Sequence, residues 1–137
     1  MEKIFIDYEG NLRSRLTQTS HDTVLYIDAP KENGGLGASF SPTDLLAAAL
    51  ASCIVTVITL AAKRYGVEIV KLKATIEKTM TSIPQRRIAS LTFHLYCEDI
   101  LEESLIQILE KAAHTCPVHN SLHKDIEQHL TFHWKRS

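Results

Sequence analysis

Strand-patterned segments on both sides of a long uncharged helix predict an α+β fold for this chain. Three observations carry the expectation. Apolar and polar residues alternate before residue 30 and again after residue 70, the periodicity of strands. Residues 45–62 hold no charge at all and follow a strong helix start. The segments do not alternate regularly between strand and helix, as a doubly wound parallel sheet would require. The 137 residues suit one domain, spanning 1–137.

Taken in order, residues 4–8 read as a strand, and Glu9-Gly10-Asn11 is a turn signal. Residues 12–19 and 23–28 read as two more strands, joined by the polar turn Ser20-His21-Asp22. The first third is therefore expected to be a three-stranded antiparallel meander. Residues 29–38 form a long loop with one proline and three glycines, and loops of that length in a small domain are usually functional. Gly34-Gly35-Leu36-Gly37 has neither the Lys-Ser/Thr of a P-loop nor a dinucleotide-binding spacing.

Ser41-Pro42-Thr43-Asp44 marks a helix start. Serine is a good N-cap, proline suits the first helical position, and an acid at the third completes a capping-box-like pattern. The helix is expected over 42–65, stopping at Gly66. Residues 67–81 predict a strand with Val70, Leu72, Ala74 and Ile76 on one face. Ser82-Ile83-Pro84-Gln85 turns the chain into a hairpin partner over 87–97, with Ile88, Leu91, Phe93 and Leu95 apolar. Glu98-Asp99 predicts the start of a helix through about His114, striped by Leu101, Leu105, Ile108, Leu109 and Ala112. Pro117 begins a short helix capped by Cys116, and residues 127–134 close the chain as a strand with Leu130, Phe132 and Trp134 alternating.

Hydrophobic residues make up 45% and charged residues 23%, and the net charge is −1, so nothing steers the chain broadly toward nucleic acid or an anionic membrane. The first residues lack a basic stretch followed by an apolar one, so no secretory leader is expected and the expected location is cytoplasmic. Residues 45–62 approach the length of a membrane span. Their alanine content, Ser52, Thr56 and Thr59 at helical spacing, and flanking strands that need cover favour a buried central helix.

The chemistry lies in the thiols. Cys116 sits in His114-Thr115-Cys116-Pro117-Val118-His119. The free amides of a helix beginning at Pro117 would point at it and lower its pKa. His119, one turn on, could hydrogen-bond the sulfur or supply a proton. Cys53 lies mid-helix among Ala49, Ser52, Thr56 and Val57, small neighbours that would let another segment or a substrate approach. Taken alone, it reads as a core thiol. Cys97, beside Glu98 and Asp99, reads as structural, because those acids disfavour its thiolate. Without a secretory leader, two such thiols suggest redox or metal chemistry rather than a staple. Arg13 and Arg15 are either solvated strand cations or thiolate partners. His114, Cys116, His119 and His123 are four potential metal ligands within ten residues, although Pro117 splits them and no familiar spacing is complete.

Three segments carry a specific resemblance. They are Asp28-Ala29-Pro30-Lys31-Glu32-Asn33-Gly34-Gly35, then Phe40-Ser41-Pro42-Thr43-Asp44-Leu45-Leu46-Ala47-Ala48-Ala49-Leu50-Ala51-Ser52-Cys53, and Ala112-Ala113-His114-Thr115-Cys116-Pro117-Val118-His119-Asn120-Ser121-Leu122. With them the chain resembles the OsmC/Ohr family of osmotically inducible and organic hydroperoxide resistance proteins, along nearly its whole length. The resemblance implies antiparallel sheets around a long central helix in an intertwined homodimer. It implies a cysteine-based peroxidase acting on organic hydroperoxides without a bound cofactor. Cys53 would attack the peroxide and become a sulfenic acid, Cys116 would resolve it as a disulfide, and an external dithiol would reduce that disulfide. The residues taken alone favour Cys116 as the attacking thiol, so the resemblance reverses the order.

The family's active-site arginine falls on Arg13, with Arg15 the fallback. Its hydroperoxide-resistance branch has a glutamate where this chain has Thr43, with Asp44 beside it as the candidate carboxylate. Cys-Pro-Val-His points to the OsmC-like branch, where fold does not by itself imply peroxidase activity. The alternative is a non-catalytic stress protein or a small-ligand binder using the loop over 29–40. A Cys/His metal site is a further alternative.

Overall fold

The computed structural model describes residues 2–137. The elements run β1 (Ile4–Gly10), β2 (Arg13–Gln18), β3 (His21–Asp28), a 3-10 turn (Lys31–Asn33), α1 (Pro42–Arg64), β4 (Leu72–Thr81), β5 (Arg87–Leu101), α2 (Glu103–Ala113), α3 (Pro117–Ser121) and β6 (Glu127–Arg136). The chain divides into two compact units, Met1–Leu46 and Ala47–Ser137.

The first unit is the expected antiparallel meander, in the order β1-β2-β3. Its first turn places Asn11 and Leu12 at φ 55° and 59°, the left-handed conformation that tight hairpins need. The Tyr8 hydroxyl accepts the Leu12 N–H at 3.2 Å. The loop after β3 doubles back on itself, with the N–H groups of Asn33 and Gly35 both donating to Pro30 O at 3.0 Å. A side chain at Gly35 would put its Cβ 2.0 Å from Ala29 O, so only glycine fits there.

The start of α1 is the capping box read from the sequence. Asp44 N–H donates to Ser41 Oγ at 3.1 Å, and Ser41 N–H donates to Asp44 Oδ2 at 3.1 Å. The helix ends at Arg64, and Gly66 takes φ 77°, the left-handed stop predicted from the sequence.

In the second unit, β4 and β5 form an antiparallel hairpin, and β6 joins β5 in parallel, so this sheet is mixed. The core lies between one stripe of α1, one face of β5 and one face of α2. Ala47, Leu50, Ile54, Ile58 and Ala62 supply the helix stripe. Leu91, Phe93 and Leu95 are fully buried on β5. Ile88 shares their face although it sits three residues from Leu91, because a bulge leaves Ala89 unpaired opposite Thr79 and Met80. Each fully buried Leu, Ile or Phe contributes roughly 1.5–3 kcal/mol.

Three sequence expectations change. Residues 67–71 stay outside the strand, and Val70 is 72% exposed rather than facing inward with Leu72. Residues 98–101 extend β5 instead of starting a helix. Asp99 looked like a helix cap, but its carboxylate accepts the N–H groups of Val70 and Lys71, while Glu98 N–H donates to Lys71 O. That pairing holds the chain extended until Glu102, and α2 begins at Glu103. Its buried stripe is Leu105, Ile106, Leu109 and Ala113, with Ile106 and Ala113 in place of the expected Ile108 and Ala112. Finally, α1 is long and apolar enough to cross a membrane, yet it buries one stripe, and its other faces leave Leu46 and Leu60 exposed.

Candidate active site

The first unit holds an ion pair that the sequence reading did not name. Arg13 heads β2 and Asp28 ends β3, directly opposite in the antiparallel register. Arg13 Nε and Nη2 donate to the two carboxylate oxygens of Asp28 at 2.7 and 2.9 Å, a bidentate fork. The loop closes over the pair, and Ala38 N–H donates to Asp28 Oδ2 at 3.0 Å. The Asp28 side chain is fully buried, and the Arg13 guanidinium holds its carboxyl below the usual carboxylate range, reinforced by the Ala38 amide against the effect of burial. Arg13 also lies 5.2 Å from the centroid of the Tyr26 ring.

Arg13 therefore has a fixed carboxylate partner, and that partner is Asp28. Asp44, the candidate from the sequence, is engaged with Ser41 at the helix cap. Arg15 makes a long, exposed contact of 3.8 Å with Asp7. Next to the Asp28 pair, a shallow depression of about 330 Å³ is lined by Pro30, Lys31, Gly37, Ser39 and Asp44. The signal for Asp28 was present in the sequence, since strands joined by a short polar turn bring their far ends level. The register that does so is a tertiary fact.

The second unit brings two thiols together. Cys53 lies on the half-buried side of α1, and Cys116 is fully buried as the N-cap of α3. Cys116 Sγ accepts the N–H of His119 at 3.4 Å, the cap predicted from Cys-Pro. Cys53 packs against the cluster that contains Cys116 and is near enough to shift its pKa. The electrostatic outcome corrects the sequence expectation. Burial pushes the Cys116 thiol up, the neighbouring Cys53 adds to that, and the backbone N–H groups of His119 and Val118 only partly offset it. An amide cap lowers a thiol pKa on an exposed helix end, and desolvation overrides it here.

His119 lies against Gln128 of β6 through its Nδ1, and Gln128 Nε2 donates to His119 O at 3.3 Å. The His114 ring meets the His119 ring edge-on, with centroids 5.6 Å apart. His123 binds back to Asp125, its Nδ1 accepting the Asp125 N–H at 3.0 Å. Among the described residues, no group of three or more His, Cys, Asp and Glu side chains is placed to hold a metal ion. The third thiol, Cys97, is buried within β5, not at its end. Its pKa is raised by burial first and by the Asp99 charge in addition, in the direction expected. Gln128 was not among the candidates, because nothing local marks a polar residue on a strand as the partner of a helical residue nine positions earlier.

Comparison with known proteins follows the same lines. The family model described as OsmC-like protein matches residues 34–130. No curated protein matches the chain. Among solved structures, an osmotic stress induced and detoxification response protein from Psychrobacter arcticus is similar at 35% identity and a TM-score of 0.90, over 95% of this chain and 94% of that one. An organic hydroperoxide resistance protein from Legionella pneumophila shares the fold at 20% identity and a TM-score of 0.74, over 97% and 95% of the two chains. The organic hydroperoxide resistance protein OhrB of Bacillus subtilis does so at 20% identity and 0.70, over 96% and 97%.

Proposed function

Because the chain belongs to the OsmC-like protein family, we propose that it is a thiol peroxidase that reduces organic hydroperoxides through Cys53 and Cys116. The observation that carries this reading is the proximity of the two thiols, Cys53 on α1 packed against the apolar cluster that holds Cys116 at the start of α3. A small soluble domain gains little stability from an unbonded thiol pair. Two neighbouring thiols that join as a disulfide give up two electrons.

The burial of the two sulfurs supports the order of events. Cys53 is the more open of the two and meets the peroxide, while Cys116 is fully buried and burial raises its thiol pKa. The Cys53 thiolate attacks the peroxide, the O–O bond breaks, and the alkoxide leaves and takes up a proton as the alcohol. Cys53 is then a sulfenic acid. The Cys116 sulfur attacks the Cys53 sulfur, the S–O bond breaks, and water leaves with the Cys116 proton. An external dithiol reduces the resulting disulfide by exchange and is itself oxidised to a disulfide, so no bound cofactor is needed. Arg13 keeps the role the resemblance gives it, stabilising the thiolate and the peroxide oxygens. Asp28 holds that guanidinium rigid and leaves Nη1 outside the fork.

The proposed form is a cytoplasmic homodimer. The exposed apolar side of α1, with Leu46 and Leu60, supports a second copy as its cover. Light scattering on the purified protein reads the mass directly, and a monomer at micromolar concentration would overturn this part.

The catalytic reading is tested by titrating the reduced protein with cumene hydroperoxide and counting thiols. Two thiols lost per chain, with Cys53 linked to Cys116, is the expected result. Cys53→Ser abolishes turnover, and Cys116→Ser leaves oxidised Cys53 to accumulate. Unchanged thiols at stoichiometric peroxide would overturn the peroxidase and favour a non-catalytic ligand-binding protein.

A further inference from the structure

Gln128 grips one residue at two points. Its Nε2 donates to the backbone carbonyl of His119 at 3.3 Å, and its Oε1 faces His119 Nδ1. The two contacts determine each other. A carbonyl oxygen only accepts, so the Gln128 atom beside it must be the amide nitrogen. The other Gln128 atom is then an oxygen, which also only accepts, so His119 Nδ1 carries the hydrogen. A neutral His119 therefore has its lone pair on Nε2. The same residue gives its backbone N–H to Cys116 Sγ at 3.4 Å.

We propose that Gln128 is a positioning residue for the Cys116 thiol, fixing His119 as the Nδ1–H tautomer and holding its backbone so that the amide stays on the sulfur. This rests on the reading of Cys116 as the thiol that closes the disulfide. Helix α3 is only five residues long, and none of them is buried. A helix that short is not stable by itself. Its cap at Cys116 and its attachment to β6 through Gln128 hold it in place. The titratable groups facing this site are Cys53 from α1 and His119 from α3, with the His114 ring against His119. In the resolving step the Cys116 sulfur loses its proton as it bonds to Cys53 and water departs. A donated N–H favours the developing negative charge on that sulfur.

The test uses the full chain with Gln128→Leu and Gln128→Glu. Nitrogen-15 spectra of the His119 imidazole are expected to show Nδ1–H in the wild type and in Gln128→Glu, whose carboxylate still accepts, and to lose it in Gln128→Leu. Stopped-flow kinetics with cumene hydroperoxide are expected to show Cys53 sulfenic acid formation unchanged in both variants. Disulfide closure should slow about fivefold in both, the weight of one neutral hydrogen bond, because neither variant donates to the His119 carbonyl. A third readout needs no peroxide. In a Cys53→Ser, Cys97→Ser background, the thiolate absorbance of Cys116 should titrate about 0.7 pH unit higher when Gln128→Leu is added, the same fivefold expressed as a pKa. A wild-type Nε2–H tautomer, or unchanged closure and an unchanged thiol titration in Gln128→Leu, would overturn the proposal. If the wild type forms no sulfenic acid, the peroxidase reading fails, and the tautomer and the thiol titration still decide the role of Gln128.

Discussion

Joining Cys53 to Cys116 closes a loop of 64 residues, and the stability that this adds follows from chain statistics. For a loop of that length the unfolded chain loses entropy worth about 4 kcal/mol at 25 °C. Cys53 and Cys116 share one packed cluster, and closure without native distortion would let most of that figure survive. The assay is urea unfolding of oxidised and reduced protein at one protein concentration, since assembly shifts apparent stability. With a slope of about 1–3 kcal/mol per molar, the midpoint should rise by roughly 1–4 M on oxidation. Cys53→Ser, treated with the same oxidant, should show no rise. An oxidised protein no more stable than the reduced one would refute the reasoning, because it would mean the two sulfurs can bond only by straining the fold.

Three further predictions follow from the packing and the ion pair. Asp28→Asn should lose stability at neutral pH and show a shallower loss in acid. The Asp28 carboxyl lies below its unfolded value of about 3.9, so its contribution is present above that pH and fades as pH falls through the folded value. Thermal unfolding across pH 2–7 measures this, and an acid slope equal to the wild type would contradict the pairing. Phe93→Ala removes a fully buried ring that packs edge-on to Phe132, and should cost about 3–5 kcal/mol in denaturant unfolding. Gly35→Ala drives a Cβ into the backbone of Ala29, which cannot move as a side-chain tip could. It should cost roughly 1–3 kcal/mol in denaturant unfolding, and a neutral result would contradict the close approach of Gly35 to Ala29.

Much of this was legible in the sequence where the controlling interactions are local. Ser41, Pro42 and Asp44 start α1 through contacts within four residues, and Gly66 ends it by adopting a conformation that other residues resist. Cys116 caps α3 for the same reason. The meander was readable because short polar turns join its strands. The errors fall where a distant partner decides. Glu98 and Asp99 resemble a helix start, yet Val70 and Lys71 claim their backbone and carboxylate and keep the strand going. The parallel pairing of β6 with β5 involves strands separated by two helices, and alternation alone does not reveal its direction.

Within the candidate site the same division holds. The sequence by itself determined the two thiols, the cap on one of them, the arginine at the head of β2 and the family to which these belong. Only the tertiary structure decided that Asp28 rather than Asp44 is seen gripping Arg13, that burial outweighs the amide cap at Cys116, and that Gln128 secures His119. The physical reason is common to all three. Capping and turn formation act over a few residues of backbone, whereas desolvation and side-chain pairing depend on which distant segments close over a group, and a linear pattern carries no measure of that.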